Sequence, residues 1–312
     1  MEHYQKIQQS YKEESEGIFD GHVIIEEKLD GSQFRIEINP DGTIVCGSHH
    51  QDGVTMDSMF NAGVESANHI FAEYKPDVKT TVFCEFLSKP KQNTIAYARI
   101  PLHNLMVFDV KRDTRYLDRP QKELFCKQHG LEIVPMLWEG DGSEISKDGK
   151  IIDSFKDELL KRQSILGHQK GFDRIEGFVI KNYNKFYDVN RYPHYEGHWK
   201  CVKIVNDSFK EKNHEENPNK ANKFQELKDN YRTEARMLKA IQHLKEQGLL
   251  TGQLSDLKLL IPEVKRDIIE EEKEGIKDAL WKMFGDEIIG YASKEMVTVY
   301  KKYLETNSNM FI

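Results

Sequence analysis

The chain has 312 residues, 38% hydrophobic and 31% charged, enough length for one large domain or two of ordinary size with a densely charged surface. Its 45 lysines and arginines against 52 aspartates and glutamates give a formal net charge of −7, which argues against a nonspecific nucleic-acid coat but leaves room for a local lysine-lined groove. No apolar run approaches the roughly 20 residues of a membrane span, Met1 to Gly17 lacks a secretory apolar core, and Cys46, Cys84, Cys126 and Cys201 form no CxxC pair, so a cytoplasmic protein with reduced thiols, no membrane partner and no zinc site is expected.

Taken in order, Tyr4, Ile7 and Tyr11 share a helical face, and residues 1 to 20 read as a short helix or arm. From Gly21 the period changes to two: an apolar run Val23 to Ile25, the alternating Phe34-Arg35-Ile36-Glu37-Ile38, the turn Asn39-Pro40-Asp41-Gly42, and a return strand Thr43 to Cys46. Apolar spacing predicts a helix over 57–75, closed by Pro76, then strands at Thr80 to Phe86 and Leu105 to Val110. A helix over 121–130 ends at Gly130, followed by a strand from Leu131 to Met136, a Gly-rich loop through Gly149, and a helix from about Ser154 to Leu166. Strands at Gly177 to Asn182 and His198 to Val205 complete an α+β domain of mostly antiparallel sheets with flanking helices, residues 1–206.

Beyond Val205 the pattern turns helical. Asn217-Pro218 is a capping residue followed by a first-turn proline, and apolar residues at three-or-four spacing continue to a stop at Gly248. Residues 255–284 read as helical with a break at Pro262, and Ser293 to Leu304 as a last helix. The run Glu270 to Glu274 reads as a solvated face. Residues 207–312 are therefore expected to be a small all-helical domain.

The chemistry centres on Glu26-Glu27-Lys28-Leu29-Asp30-Gly31-Ser32, where a lysine stands between an incoming strand and a Gly turn. An amine there is a nucleophile once cations or desolvation lower its pKa, Asp30 can hold the amine or a metal, and Gly31 admits a close backbone approach. Taken alone, such a loop reads first as an exposed hairpin with a salt-bridged lysine. Later strands add Glu85, Phe108-Asp109, Glu176 to Lys181, and Trp199-Lys200-Cys201-Val202-Lys203. Together these supply cations for a triphosphate, acids for ribose and magnesium, and an aromatic face for a base.

In this order, KLDGS, the Glu85 strand, Phe108-Asp109, EGFVIK and WKCVK resemble motifs I, III, IIIa, IV and V of the covalent nucleotidyltransferases, over about residues 20 to 211. The resemblance implies that Lys28 attacks the α-phosphate of ATP within a pocket including Glu26, Glu27 and Gly31. It also implies that Glu85 binds ribose, Phe108 stacks on adenine, Glu176 and Glu85 attend a divalent metal (Mg2+ or Mn2+), and Lys181 with Lys200 or Lys203 contacts phosphates. Two departures stand out. Motif V usually has lysines two apart, whereas Lys200 and Lys203 are three apart, and His49 or His50 occupies a place where ligases often carry Arg or Lys.

Within the superfamily, DNA ligases and capping enzymes resemble one another in placing a five-stranded barrel after motif V, where this chain reads as helices. The helical tail, and the run Lys203 to Glu211, resemble the RNA ligase 2-like branch. About 20 residues before the lysine strand leave no room for a nicotinamide-binding domain, so ATP is the implied cofactor. The expectation is an ATP-dependent RNA ligase acting on RNA ends, with RNA/DNA hybrids or DNA nicks as alternative substrates and no required protein partner. A non-catalytic nucleotide-binding module on the same fold is the rival outside enzymes.

Overall fold

The computed structural model describes residues 1–5, 7–9, 15–49, 51–56, 58–171, 174–192, 195, 197–206 and 223–306. Tyr11, His50 and the Asn217-Pro218 helix start lie outside the described residues. The chain divides into two compact units: residues 1–210 with 242–250, and residues 211–241 with 251–312.

In the first unit the order is β1 (Gln8–Gln9), β2 (His22–Lys28), β3 (Ser32–Ile38), β4 (Ile44–Ser48), α1 (Asn61–Ile70), β5 (Thr80–Phe86), β6 (Leu105–Arg112) and β7 (Arg115–Tyr116). There follow α2 (Arg119–His129), β8 (Glu132–Ile133), β9 (Met136–Asp141), β10 (Ser146–Lys147), β11 (Lys150–Ile151), α3 (Asp153–Leu160), β12 (Gly177–Phe186) and β13 (Trp199–Val205). The first large sheet runs β1-β13-β12-β2-β9 and the second β4-β3-β5-β6-β7 with β8 beside β6, while β10 and β11 pair as a small separate ribbon. Only β1 on β13 and β8 on β6 pair parallel among the described strands, so the expected α+β class with mostly antiparallel sheets holds.

Strand alternation assigns the two faces of each sheet. Phe34, Ile36, Val82, Cys84 and Phe86 turn one face of the second sheet to a core with Val64 and Ala67 of α1 and Phe125 of α2. Val23, Ile25, Phe178, Ile180, Val202 and Ile204 do the same for the first sheet, against Leu159 of α3. Each such fully buried aliphatic or aromatic side chain contributes roughly 1.5–3 kcal/mol. The opposite faces carry Glu26, Lys28, Lys181 and Lys203 on one sheet and Arg35, Glu85 and Asp109 on the other, and ion pairs join the two.

Several elements differ from the sequence expectation. Of the short helix or arm expected for residues 1 to 20, the described residues take the arm, with β1 bordering β13. α1 is confined to Asn61–Ile70, and the strand expected from Leu131 to Met136 is split into β8 and β9 around Pro135. α2 begins two residues before the expected start because Asp118 and Gln121 close a capping box, and it ends at Gly130 with φ 65°, a left-handed conformation glycine adopts without strain.

The remaining helices are α4 (Lys223–Asn230), α5 (Glu234–Glu246), α6 (Leu257–Ser293) and α7 (Met296–Thr306), so the described residues after the sheets are mainly helical, as expected. The single helix expected up to Gly248 is two, because Thr233 accepts from the Arg236 N–H at 3.3 Å and caps a new start. Pro262 lies inside α6 without ending it. It forfeits one backbone bond near the start of a 37-residue helix, a small loss beside the bonds that remain. In the second unit, Arg236 pairs with Glu272 at 3.0 Å and with Asp267, while Lys239 reaches Asp267 at 2.9 Å. Glu272 therefore leaves the solvated face expected of the Glu270 to Glu274 run and is buried. No helix among the described residues is long and apolar enough to cross a membrane.

Candidate active site

β2 ends at Lys28, and β12 begins immediately after Glu176, with Lys28 and Gly177 opposite each other in the ladder. That register sets the amine against the acid: Lys28 Nζ lies 2.6 Å from Glu176 Oε1 and 2.7 Å from Oε2. Burial disfavours the charged amine, but Glu176 and then Glu85 outweigh it and hold the Lys28 pKa above the ordinary lysine range. The sequence expectation of cations lowering this pKa is corrected here, since the groups that dominate around Lys28 are acids. Burial raises Glu176 to about 7 and Glu85 to about 8, in both cases against the opposing pull of Lys28. Two acids that ionise near neutrality beside one ammonium make a natural proton relay.

The Lys28–Ser32 turn is held by its own polar groups. The Asp30 N–H donates to Tyr97 Oη at 2.7 Å, while Asp30 Oδ2 accepts from the N–H groups of Thr94 and Ile95 at 2.8 and 2.7 Å. Asp30 therefore ties the turn to the 94–97 loop. The Gly31 N–H donates to Glu85 Oε1 at 2.9 Å. A Cβ on Gly31 would stand 2.7 Å from Phe86 O and 2.8 Å from Glu85 Cγ, so close approach to β5 by itself requires glycine here.

Behind this turn lies a buried charge cluster. Glu26 pairs with Lys122 at 2.8 Å, Arg119 at 2.9 Å and Lys181 at 2.6 Å, and Lys181 also reaches Asp109 Oδ2 at 2.9 Å and Phe108 O at 2.8 Å. Burial alone would raise the Glu26 carboxyl, yet the three cations hold it well below the usual range. Lys181 and Glu26, assigned by the resemblance to phosphates and nucleotide, are thus 2% and 1% exposed and bound to each other. Their partners come from β6 and α2, elements distant in sequence. Lys181 fixes the backbone at Phe108, the extra residue of a bulge where Phe83 pairs Asp109 and Cys84 pairs Val107. Phe108 is partly buried and edge-on to Tyr4, with ring centroids 5.0 Å apart.

Parity separates the two lysines of β13. Lys203 stands opposite Val179, which stands opposite Glu26, so its side chain shares the face of Lys28 and lies near enough to lower the Glu176 pKa. Lys200 stands opposite Asn182 on the other face and donates to Glu16 O, away from Lys28. A spacing of three in a strand makes this unavoidable. Glu27 also turns away, into the apolar face with Ile25; the Ile165 N–H donates to it at 3.2 Å, and burial raises it to about 7. His49 pairs with Gln33, the residue opposite Glu85.

The structure therefore gathers Lys28, Glu176, Glu85 and Lys203 at one place, with Gly31 behind them. It puts Glu26 and Lys181 in the charge cluster, and turns Glu27 and Lys200 to the far face. Sequence reading missed Arg119, Lys122 and Tyr4. A signal existed for the first two: they share one side of α2 with Cys126, and basic residues on an apolar stripe point to buried acids. Tyr4 had none, because its contacts with Phe83, Phe108 and Tyr116 are all distant in sequence.

Glu176 and Glu85 are oxygen donors suited to a hard divalent cation. Among the described residues no group of three or more His, Cys, Asp or Glu is assembled as a metal site, so such an ion would draw further ligands from substrate and water.

The model of a family described as RNA ligase matches residues 21–205, more than half of the chain. No curated protein matches it in sequence. Among solved structures it is similar to Naegleria gruberi RNA ligase with PPi, at 14% identity and a TM-score of 0.49, covering 67% of this chain and 57% of that one. A mutant of that ligase with ATP and Mn is similar at 12% identity and a TM-score of 0.46, covering 66% and 56%. The chain thus spans little more than half the length of these proteins.

Proposed function

Because this chain belongs to the RNA ligase family, we propose that it is an ATP-dependent RNA ligase that joins 5′-phosphate and 3′-hydroxyl RNA ends through AMP carried on Lys28. The observation that carries this reading is the bidentate contact of Lys28 with Glu176, an amine with its proton acceptor already in place.

Before attack the ammonium loses a proton to Glu176, whose pKa of about 7 lets it accept near neutrality. The Lys28 lone pair then forms a P–N bond to the α-phosphorus of ATP as the bond to the β-phosphate oxygen breaks, and pyrophosphate leaves while the second proton on the nitrogen passes to solvent. Lys203, on the same face, offsets charge on the phosphates, and Phe108 offers its ring to adenine. Glu85 both fixes Gly31 and faces the ribose. Magnesium or manganese, held by Glu85 and substrate oxygens and reached by Glu176 through water, would supply further positive charge to the triphosphate. A 5′-phosphate oxygen of RNA next takes the AMP, the P–N bond breaks, and Lys28 recovers its protons. A 3′-hydroxyl finally attacks the 5′-phosphorus and AMP departs.

In this reading residues 1–206 are the adenylation domain and residues 207–312 a helical domain that helps to hold RNA ends, with lysines of the 210–245 segment as the contacts. Incubation with labelled ATP and a divalent metal, followed by a matched panel of nicked RNA, single-stranded RNA, RNA/DNA hybrid and nicked DNA, tests it. Label on the protein and sealing of RNA are expected; sealing of DNA alone would overturn the substrate assignment.

A further inference from the structure

The turn that presents Lys28 is fastened in part from outside the span that matches the family. Residues 242–250 pack with residues 1–210 as one compact unit, although the family match ends at residue 205. The side-chain amide of Gln242 donates toward Gly31 O at 3.2 Å, Ser32 Oγ at 3.3 Å and Glu246 Oε1 at 2.8 Å. Two N–H groups serve three acceptors, so one is shared, and Glu246 orients the amide toward the turn.

Glu246 is 4% exposed, Ser32 is 2% exposed, and the Ser32 hydroxyl is a further partner of the Glu246 carboxyl. Gln92 and Asn93 complete the set, the first donating to Ser32 Oγ at 2.7 Å and the second to Gly31 O at 2.6 Å. A buried carboxyl is costly to keep unless its bonds are made, so this arrangement holds one geometry of the turn. Gly31 in turn fixes Glu85 through its N–H, which links Gln242 to the acids around the amine.

We propose that Gln242 and Glu246 are positioning residues for the Lys28 turn, setting the amine for attack on the α-phosphate; this rests on the ligase reading. They touch neither the amine nor the site of the phosphates, so their effect falls on the step in which Lys28 forms a bond. Joining of an RNA that already carries AMP on its 5′-phosphate forms no bond to Lys28 and serves as the internal reference.

The test compares full-length protein with Gln242→Ala and with Gln242→Glu, which keeps the shape and removes the donor. Single-turnover uptake of AMP from ATP is measured beside joining of pre-adenylylated RNA. Expected is a loss of about tenfold in AMP uptake for both variants, with KM for ATP little changed and joining of pre-adenylylated RNA at the unaltered rate. Uptake at the unaltered rate would overturn the proposal, and so would parallel loss in both reactions, which would make Gln242 a support of the fold alone. If the unaltered protein takes up no AMP, the ligase reading itself falls and this proposal falls with it.

Discussion

Lys28 and Glu176 stand 148 residues apart in the chain, yet both carboxylate oxygens of Glu176 lie within 2.7 Å of the Lys28 amine. The amine rests as an ammonium held by acids, and in the proposed reading its activation is a proton transfer to one of them. The rate of AMP uptake is therefore expected to rise with pH through about 7, where Glu176 changes from protonated to able to accept. Glu176→Gln should lower the rate by about a hundredfold or more and remove that inflection. Single-turnover rates between about pH 6 and pH 9 check this, and a flat profile for the unaltered protein would count against Glu176 as acceptor.

The two lysines of β13 should behave unequally. Lys203→Ala is expected to slow AMP uptake by about tenfold or more, since it removes the cation on the face of Lys28. Lys200→Ala, on the far face, is expected to change the rate by less than about threefold. Equal losses in the same assay would refute the assignment by face.

Lys181 links Glu26 and Asp109 in a site closed to solvent. Lys181→Met should cost about 3–5 kcal/mol of stability by leaving two acids short of a partner. Urea denaturation of variant and unaltered protein reads this directly. Full stability with lost activity would instead favour a phosphate contact.

Glu27 is buried against apolar neighbours with its pKa raised to about 7 from an ordinary value of 4.5. The folded state thus keeps a proton that the unfolded state loses between those values. Below them Glu27 leaves stability unchanged; as pH rises through that window stability falls, and the full cost is present above about 7. Glu27→Gln should be more stable than the unaltered protein at about pH 8, by up to about 3 kcal/mol, and little different at about pH 4. Urea midpoints at the two pH values check it.

The sequence made the strands visible because alternation is local. β3 and β5 carry their apolar face at every second residue, and Asp118, Pro120 and Gly130 mark both ends of α2 within a few positions of the chain. The fate of charged residues was harder to read. Lys181 and Lys203 look alike in the sequence, but one meets Asp109 from 72 residues away and the other faces Lys28. Gln242 lies 211 residues beyond the turn it reaches, and no periodicity records such a pairing. The odd spacing of Lys200 and Lys203 did hold its answer, because strand geometry forbids both from facing one site.

Peptide mapping by mass spectrometry after incubation with ATP and magnesium tests the central claim most directly. One adenylyl group is expected on the peptide that contains Lys28, and none in Lys28→Ala. An adenylyl group on another residue, or label retained in that variant, would contradict Lys28 as the carrier of AMP.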